Sequence, residues 1–128
     1  MFLDYAGIRV TNLARSVRFF TKGLGLHELR RGKMPHGGVW VLLADPASHQ
    51  QVELNWYPRG SRYATPFTSG EGFDHFGVRV ANLKVAGRKL RAAGARKVDE
   101  IRWRGQVVLE YYEGPDGFWV ELILSPSA

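Results

Sequence analysis

The sequence has no cysteine in its 128 residues. That excludes a disulfide framework, a thiolate metal site and a cysteine nucleophile, so any metal must be held by histidine, carboxylate or phenolate. No apolar run approaches the roughly 20 residues needed to cross a bilayer, and no membrane partner is expected. The segment Met1 to Val10 carries Asp4 and Arg9 and lacks the basic-then-apolar layout of an export signal, so the expected location is cytoplasmic. Gly-rich phosphate loops and Ser-based nucleophile motifs are missing as well. Lysine is scarce, with 5 Lys against 13 Arg, and the net charge is +6. The densest basic groups are Arg30-Arg31-Gly32-Lys33, Arg88-Lys89-Leu90-Arg91 and Arg102-Trp103-Arg104, none of them a long run. With no zinc-finger or RNP-type motif, they read as a solvated basic surface and not as a nucleic-acid interface. The charge would still steer a small anionic substrate toward the protein and repel a cationic one.

What is present is an internal repeat. Tyr5 to Leu13 reads YAGIRVTNL and His75 to Leu83 reads HFGVRVANL, five of nine positions being identical at an offset of 70. Leu24-Gly25-Leu26 aligns with Ala93-Gly94-Ala95 at an offset of 69, and Val52-Glu53-Leu54 aligns with Val120-Glu121-Leu122 at an offset of 68. Three matches in order at a nearly constant offset indicate a duplicated unit.

Each copy has the same grammar. Gly7 to Val10 and Val78 to Val80 are short, β-branched and alternating, as strands are. Asn12 and Asn82 are helix N-caps. Leu13, Val17, Phe20 and Leu24, and then Leu83, Ala86, Leu90 and Ala93, each form one apolar helical face. Gly23 or Gly25, and Gly94, supply the left-handed stops. Three strands complete each copy: about 26–31, 39–44 and 51–55 in the first, and 97–103, 106–112 and 119–124 in the second. Asp45-Pro46 and Gly114-Pro115-Asp116-Gly117 are matching turns. The expected fold is therefore α+β: two tandem βαβββ units, residues 1–57 and 73–128, joined by a connection over 58–72. Eight strands would form one strongly curved mixed sheet, with helices Leu13–Lys22 and Leu83–Ala93 outside it, as a single domain. The expected core is Ile8, Val10, Val17, Phe20, Leu42, Val78, Val80, Leu90 and Leu122. The connection carries Arg59, Arg62, Tyr63 and Phe67, so it either covers a site or is a plain surface linker.

Related units usually pack about an approximate two-fold axis, so equivalent residues face each other. The polar residues at equivalent strand positions are Tyr5 with His75 and Glu53 with Glu121. Each Glu alternates with apolar neighbours and so points to the opposite sheet face. A lone Glu of that kind faces solvent, but four such residues on one face make a cluster of hard donors suited to a divalent cation such as Zn, Mn, Ni, Co or Fe(II). Without a metal, two facing carboxylates would repel and one would take up a proton. Arg9 and Arg79 lie four residues past Tyr5 and His75, on the same strand faces. Each either reaches a substrate carboxylate or pairs with a nearby Glu. Trp40, Trp56, Trp103 and Trp119 are expected in the core or a pocket wall, and His27, His36 and His49 on the surface.

The segments LDYAGIRVTNLARSVRFF, VELNWYP, GFDHFGVRVANL and PDGFWVELI resemble the four metal-ligand segments of the vicinal-oxygen-chelate superfamily, the glyoxalase, bleomycin-resistance and dioxygenase proteins. The resemblance spans nearly the whole chain and is strongest to glyoxalase I-like members. It implies Glu53, His75 and Glu121 as metal ligands, with Tyr5 where such members place His or Gln. Tyr5 is then a fourth, weak ligand, a group that hydrogen-bonds substrate or water, or the mark of a site without metal. The implied reaction is that of a divalent-metal-dependent glyoxalase-like lyase or isomerase, passing through a chelated enediolate of a small carbonyl substrate. Glu121 is the first choice of base and Glu53 the second, with Tyr5 beside them, and Arg9, Arg79 and Trp56 bind substrate. A thiol cofactor such as glutathione is compatible. The glyoxalase I run of Glu-Leu-Thr with a later Asn-Trp is, however, Glu53-Leu54-Asn55-Trp56 in this chain. The alternative is a metal-free small-molecule or antibiotic-binding protein of the same fold. A cationic glycopeptide would be disfavoured there by the +6 charge. A ring-cleaving dioxygenase fits least, since it wants His at the Tyr5 position. A homodimer is expected.

Overall fold

The computed structural model describes residues 4–35, 37–64, 66, 68, 73 and 75–125. The chain divides into two compact units, Met1–Phe67 and Thr68–Ala128. The first contains β1 (Ala6–Arg9), α1 (Leu13–Arg18) with a following π-helical turn (Phe19–Gly23), β2 (His27–Lys33), β3 (Val39–Ala44) and β4 (Gln51–Trp56). The second contains β5 (His75–Val80), α2 (Leu83–Ala92), β6 (Arg96–Trp103), β7 (Gln106–Glu113) and β8 (Trp119–Leu124), with a short 3-10 turn (Pro115–Gly117) before β8. The strands pair as β1-β4-β3-β2 and β5-β8-β7-β6, two four-stranded mixed sheets in which only the β1/β4 and β5/β8 pairs are parallel. The registers repeat: Ala6 lies opposite Val52 as Phe76 lies opposite Val120. These are two βαβββ units in tandem, as the repeat implied. Among the described residues no helix is long and apolar enough to cross a membrane.

The helix signals act as expected. The Asn12 side chain accepts a hydrogen bond from the Arg15 N–H, and that of Asn82 from the Val85 N–H, both at 3.0 Å. Gly25 and Gly94, at φ +77 and +100, occupy the left-handed backbone that closes each helix and that a side chain would strain. One boundary differs. The first helix does not continue regularly to Lys22; after Arg18 it widens into the π turn, where the Leu24 N–H reaches the Phe19 carbonyl at 3.2 Å. Consecutive positions on a regular helix diverge by about 100°, which spreads Phe19 and Phe20 to the two margins of an apolar face. The wider turn buries both completely, edge to face with ring centroids 5.6 Å apart. The Thr21 hydroxyl donates to the Val17 carbonyl at 2.7 Å and satisfies an acceptor at the distortion.

The buried set includes Ile8, Val10, Phe20, Leu42, Leu90 and Leu122, as expected, together with Phe19, Val41, Leu43, Leu54, Tyr112, Phe118 and Val120. Burying a side chain such as Phe20 or Leu54 contributes about 1.5–3 kcal/mol. Val17, Val78 and Val80 are only half-buried. Trp103 departs from the expected core or pocket wall: it is 66% exposed, just before the Arg104-Gly105 turn that joins β6 to β7. Under α2 lies a polar group. Tyr112 donates to Glu110 at 2.7 Å, and Lys97 bonds Glu100 at 2.7 Å and Glu110 at 3.3 Å. Burial first, then the bond to Glu110, pushes the Tyr112 phenol up to about 12. The Glu100 hydrogen bond holds the Lys97 ammonium above the usual lysine range.

Candidate active site

In the first unit, strand alternation turns Ile8 and Val10 into the core and Gly7 and Arg9 to the opposite face. Tyr5 leads into β1 and is 43% exposed. Gly7 pairs with Glu53 and Arg9 with Asn55. Leu54 is fully buried, so its neighbour Glu53 faces away from the helix, as the alternation implied.

The second unit repeats this frame one copy later. Gly77 pairs with Glu121 and His75 with Trp119, while Val120 and Leu122 are buried on the helix side. Here the expected residues meet: His75 Nε2 lies 3.0 Å from Glu121 Oε2. Gly77, between His75 and Arg79, has no side chain beside Glu121, and a Cβ there would meet the Ile123 side chain at 3.6 Å. Tyr111, opposite Glu121 in register, packs edge-on to the His75 ring at 6.2 Å and against Trp119 at 5.7 Å. An aromatic wall therefore flanks the imidazole–carboxylate pair. Arg79 is exposed on the same face of β5. The pair can share a proton as a hydrogen bond, or both partners can offer lone pairs to one cation. Neither unit, among the described residues, gathers three or more His, Asp or Glu side chains able to hold a metal by itself.

A separate feature belongs to the first unit. A pocket of about 510 Å³ opens at the ends of β1 and β4 against the connection, lined by Arg9, Thr11, Trp56, Tyr57, Arg59 and Ala64 among others. The Arg9 guanidinium donates to the carbonyls of Tyr63 at 3.5 Å and Pro66 at 3.4 Å, which ties the connection back to β1. Tyr57 stacks on Tyr63 with ring centroids 5.5 Å apart. The Ser61 N–H to the Pro58 carbonyl and the Ala64 N–H to the Ser61 carbonyl, both at 3.0 Å, fold the segment into turns. Of the sequence candidates for substrate contact, Arg9 and Trp56 line this pocket. Tyr57 and Thr11 also line it, and Tyr111 borders His75; sequence reasoning missed all three. The signal for Tyr111 is its register with Glu121, which appears only once β7 and β8 are paired. His27 and His49 are exposed as expected, while His36 and Phe67 lie outside the described residues.

Comparison with known proteins agrees with this frame. A probable lactoylglutathione lyase of Synechocystis is 30% identical over 134 residues, covering 99% of this chain and 98% of its own. The lactoylglutathione lyase of Escherichia coli O157:H7 is 29% identical, covering all of this chain and 96% of its own. Among solved structures, the trypanothione-dependent glyoxalase I of Leishmania major superposes with a TM-score of 0.75 at 25% identity, over 97% of this chain and 86% of that one. The sequence profile of the Glyoxalase/Bleomycin resistance protein/Dioxygenase superfamily matches residues 2–122, and with the duplicated βαβββ units in register this means that the chain belongs to that superfamily.

Proposed function

We propose that this protein is a divalent-metal-dependent, glyoxalase-like lyase acting on the adduct of a thiol with a small 2-oxoaldehyde. The observation that carries the reading is the His75–Glu121 pair at 3.0 Å, placed in the second unit where Tyr5 and Glu53 stand in the first. Full-length likeness to proteins named lactoylglutathione lyase supports it. The donor set fits a borderline divalent ion: one imidazole nitrogen and carboxylate oxygens, no thiolate. Glu53, His75 and Glu121 are the proposed ligands, with Tyr5 beside them. A bound cation would polarise the substrate carbonyl and stabilise the negative charge that develops there.

The protein's own groups account for the rest. The Glu121 carboxylate takes the proton from the thiol-bearing carbon and returns it to the neighbouring carbon, while the hydroxyl proton passes from the first carbon's oxygen to the second's, so that a hemithioacetal becomes a 2-hydroxy thioester with no atom gained or lost. Glu53 is the second choice for this role. Trp56 offers an apolar wall, and Arg9 and Arg79 offer guanidinium groups to substrate anions. The names of the two kinds of relative carry two thiols, glutathione and trypanothione, so this fold does not dictate the thiol.

The test is to incubate the protein with methylglyoxal and a panel of thiols, with Zn, Ni or Mn supplied, and to follow thioester formation. The expected result is turnover abolished by chelator and restored by one metal. A thermal melt should rise in midpoint with that metal, as mass action requires. No shift with any metal, and no thioester with any thiol, would replace this reading with a metal-free binding protein of the same fold.

A further inference from the structure

We infer that Tyr111 is a positioning residue: its ring reaches across β8 and fixes the plane of the His75 imidazole, so that Nε2 is preset to meet a cation beside the Glu121 carboxylate. The inference deepens the proposed lyase reading and rests on it for the metal; the placement of the ring is a property of the protein alone.

The contact between His75 and Glu121 leaves one freedom open. It is made at Nε2, at 3.0 Å. That nitrogen lies close to the line of the Cβ–Cγ bond, so holding it barely opposes rotation about that bond, a torsion with broad wells. A hydrogen bond tolerates the rotation. A metal bond does not, because the Nε2 lone pair lies in the ring plane and must be aimed at the cation, which is why ligating histidines are oriented by outer partners. The imidazole side chain is 36% exposed, so dense core packing does not supply the constraint. Tyr111 does. Its ring meets that of His75 at 88°, with centroids 6.2 Å apart. Edge-to-face contact is a preferred arrangement of two rings, and turning either one gives it up. Trp119 holds Tyr111 in turn, at 5.7 Å and 51°. Trp119 is the register partner of His75, and Tyr111 that of Glu121, so the three rings run from β7 over β8 to β5 on the face that carries the carboxylate.

The repeat provides an internal comparison. In the first unit Leu42 stands opposite Glu53, as Tyr111 stands opposite Glu121. Gln51 takes the place of Trp119 at the offset of 68, and Tyr5 that of His75 at the offset of 70. The first sheet forms without either ring. Both aromatic residues occur in the copy that has the histidine, and neither in the copy that lacks it. Packing shared by the two copies therefore does not call for them, whereas an imidazole that must keep one plane does.

The experiment compares the full-length parent with Tyr111→Leu, Tyr111→Phe and Trp119→Leu. The first reading is taken without metal. The chain has 4 His, so the ring signals can be assigned by NMR. In the parent the His75 ring protons should show nuclear Overhauser contacts to the Tyr111 ring. Tyr111→Phe should keep those contacts, and Tyr111→Leu should move the His75 signals toward those of the exposed His27 and His49. The second reading is calorimetry with Zn, Ni or Mn alone. Tyr111→Leu should weaken the metal that binds the parent by about tenfold, the usual scale for losing an outer partner of a ligating histidine. Tyr111→Phe should stay with the parent, and Trp119→Leu should fall between. The third reading is turnover at saturating metal, where Tyr111→Leu should regain the parental kcat and KM, because its deficit lies in filling the site. Trp119→Leu keeps the test open if Tyr111→Leu does not fold. Unchanged His75 signals in Tyr111→Leu, or a lowered melt with unchanged metal affinity, would overturn the inference. So would a raised KM at saturating metal, which would make Tyr111 a substrate wall, or a Tyr111→Phe as weak as Tyr111→Leu, which would assign the effect to the hydroxyl. A parent that binds none of the three metals would remove the lyase reading, and the His75 ring signals would still decide the inference.

Discussion

Replacing Gly87 by alanine tests the packing of α2 against its sheet, because helix propensity and tertiary contact disagree there in sign. On propensity alone, an alanine in place of a mid-helix glycine stabilises by about 1 kcal/mol. In the structure Gly87 is buried over Tyr112. An added methyl would lie 3.2 Å from the Tyr112 ring carbon that bears the hydroxyl, and closer still to that hydroxyl. The ring has little room to retreat: Tyr112 is 1% exposed, its hydroxyl is bonded to Glu110 at 2.7 Å, and the Arg91 guanidinium lies 5.5 Å from its ring centroid. Overpacking of this kind costs about 1–3 kcal/mol. Pushing the hydroxyl off its carboxylate adds roughly 1–3 kcal/mol for the stranded polar group. Subtracting the propensity gain leaves a net destabilisation of about 3 kcal/mol, within a span of roughly 1–5, or a fall on the order of 10 °C in melting temperature. Urea unfolding should show a lower midpoint at an unchanged slope. Tyr112→Phe alone should cost about 1 kcal/mol for the lost bond, and in the double variant the phenylalanine should recover part of the alanine's cost, a measurable coupling. A stabilised Gly87→Ala protein, or a double variant that is simply additive, would refute the packing argument.

Three further outcomes are expected. Glu121→Gln should lose metal, read by elemental analysis of protein purified without chelator, and lose thioester formation by orders of magnitude, while its fold stays intact by circular dichroism; full retention of both would make the His75 pair structural. Tyr112 has its folded pKa raised from 10 to about 12, so the stability it contributes is complete below pH 10 and lost as the pH rises through 12. Tyr112→Phe should flatten that alkaline slope, and an unchanged slope would count against the assigned burial. Sedimentation should show a homodimer at micromolar concentration, because each sheet has a terminal strand with an open edge that a second copy can cover; a monomer at high micromolar concentration would reject it.

The repeat YAGIRVTNL/HFGVRVANL was enough to establish the element order, because strand alternation, an Asn cap and a glycine stop are local instructions that each short segment carries by itself. Strands β3 and β8 fell on the residues their β-branched runs marked, and Glu53 and Glu121 faced away from their helices because a period of two leaves no other choice. The π turn was not legible. The spacing of Leu13, Val17, Phe20 and Leu24 satisfies a regular helix, whereas the π turn accompanies the burial of Phe19 beside Phe20, a tertiary matter that periodicity does not carry. Trp103 was misjudged for the same kind of reason: its exposure follows from lying next to a hairpin turn, which composition does not weigh against aromatic character. The candidate site divides in the same way. That His75 and Glu121 belong together was implied by their equivalence to Tyr5 and Glu53, but their 3.0 Å approach comes from the parallel register of β5 on β8. The sequence left open whether the connection covers a site, and the pocket beside Arg9 depends on the connection folding back so that carbonyls far along the chain meet one guanidinium. Local periodicity is written residue by residue, whereas which distant groups share a cavity is set by the tertiary packing that pays the entropy of bringing them together.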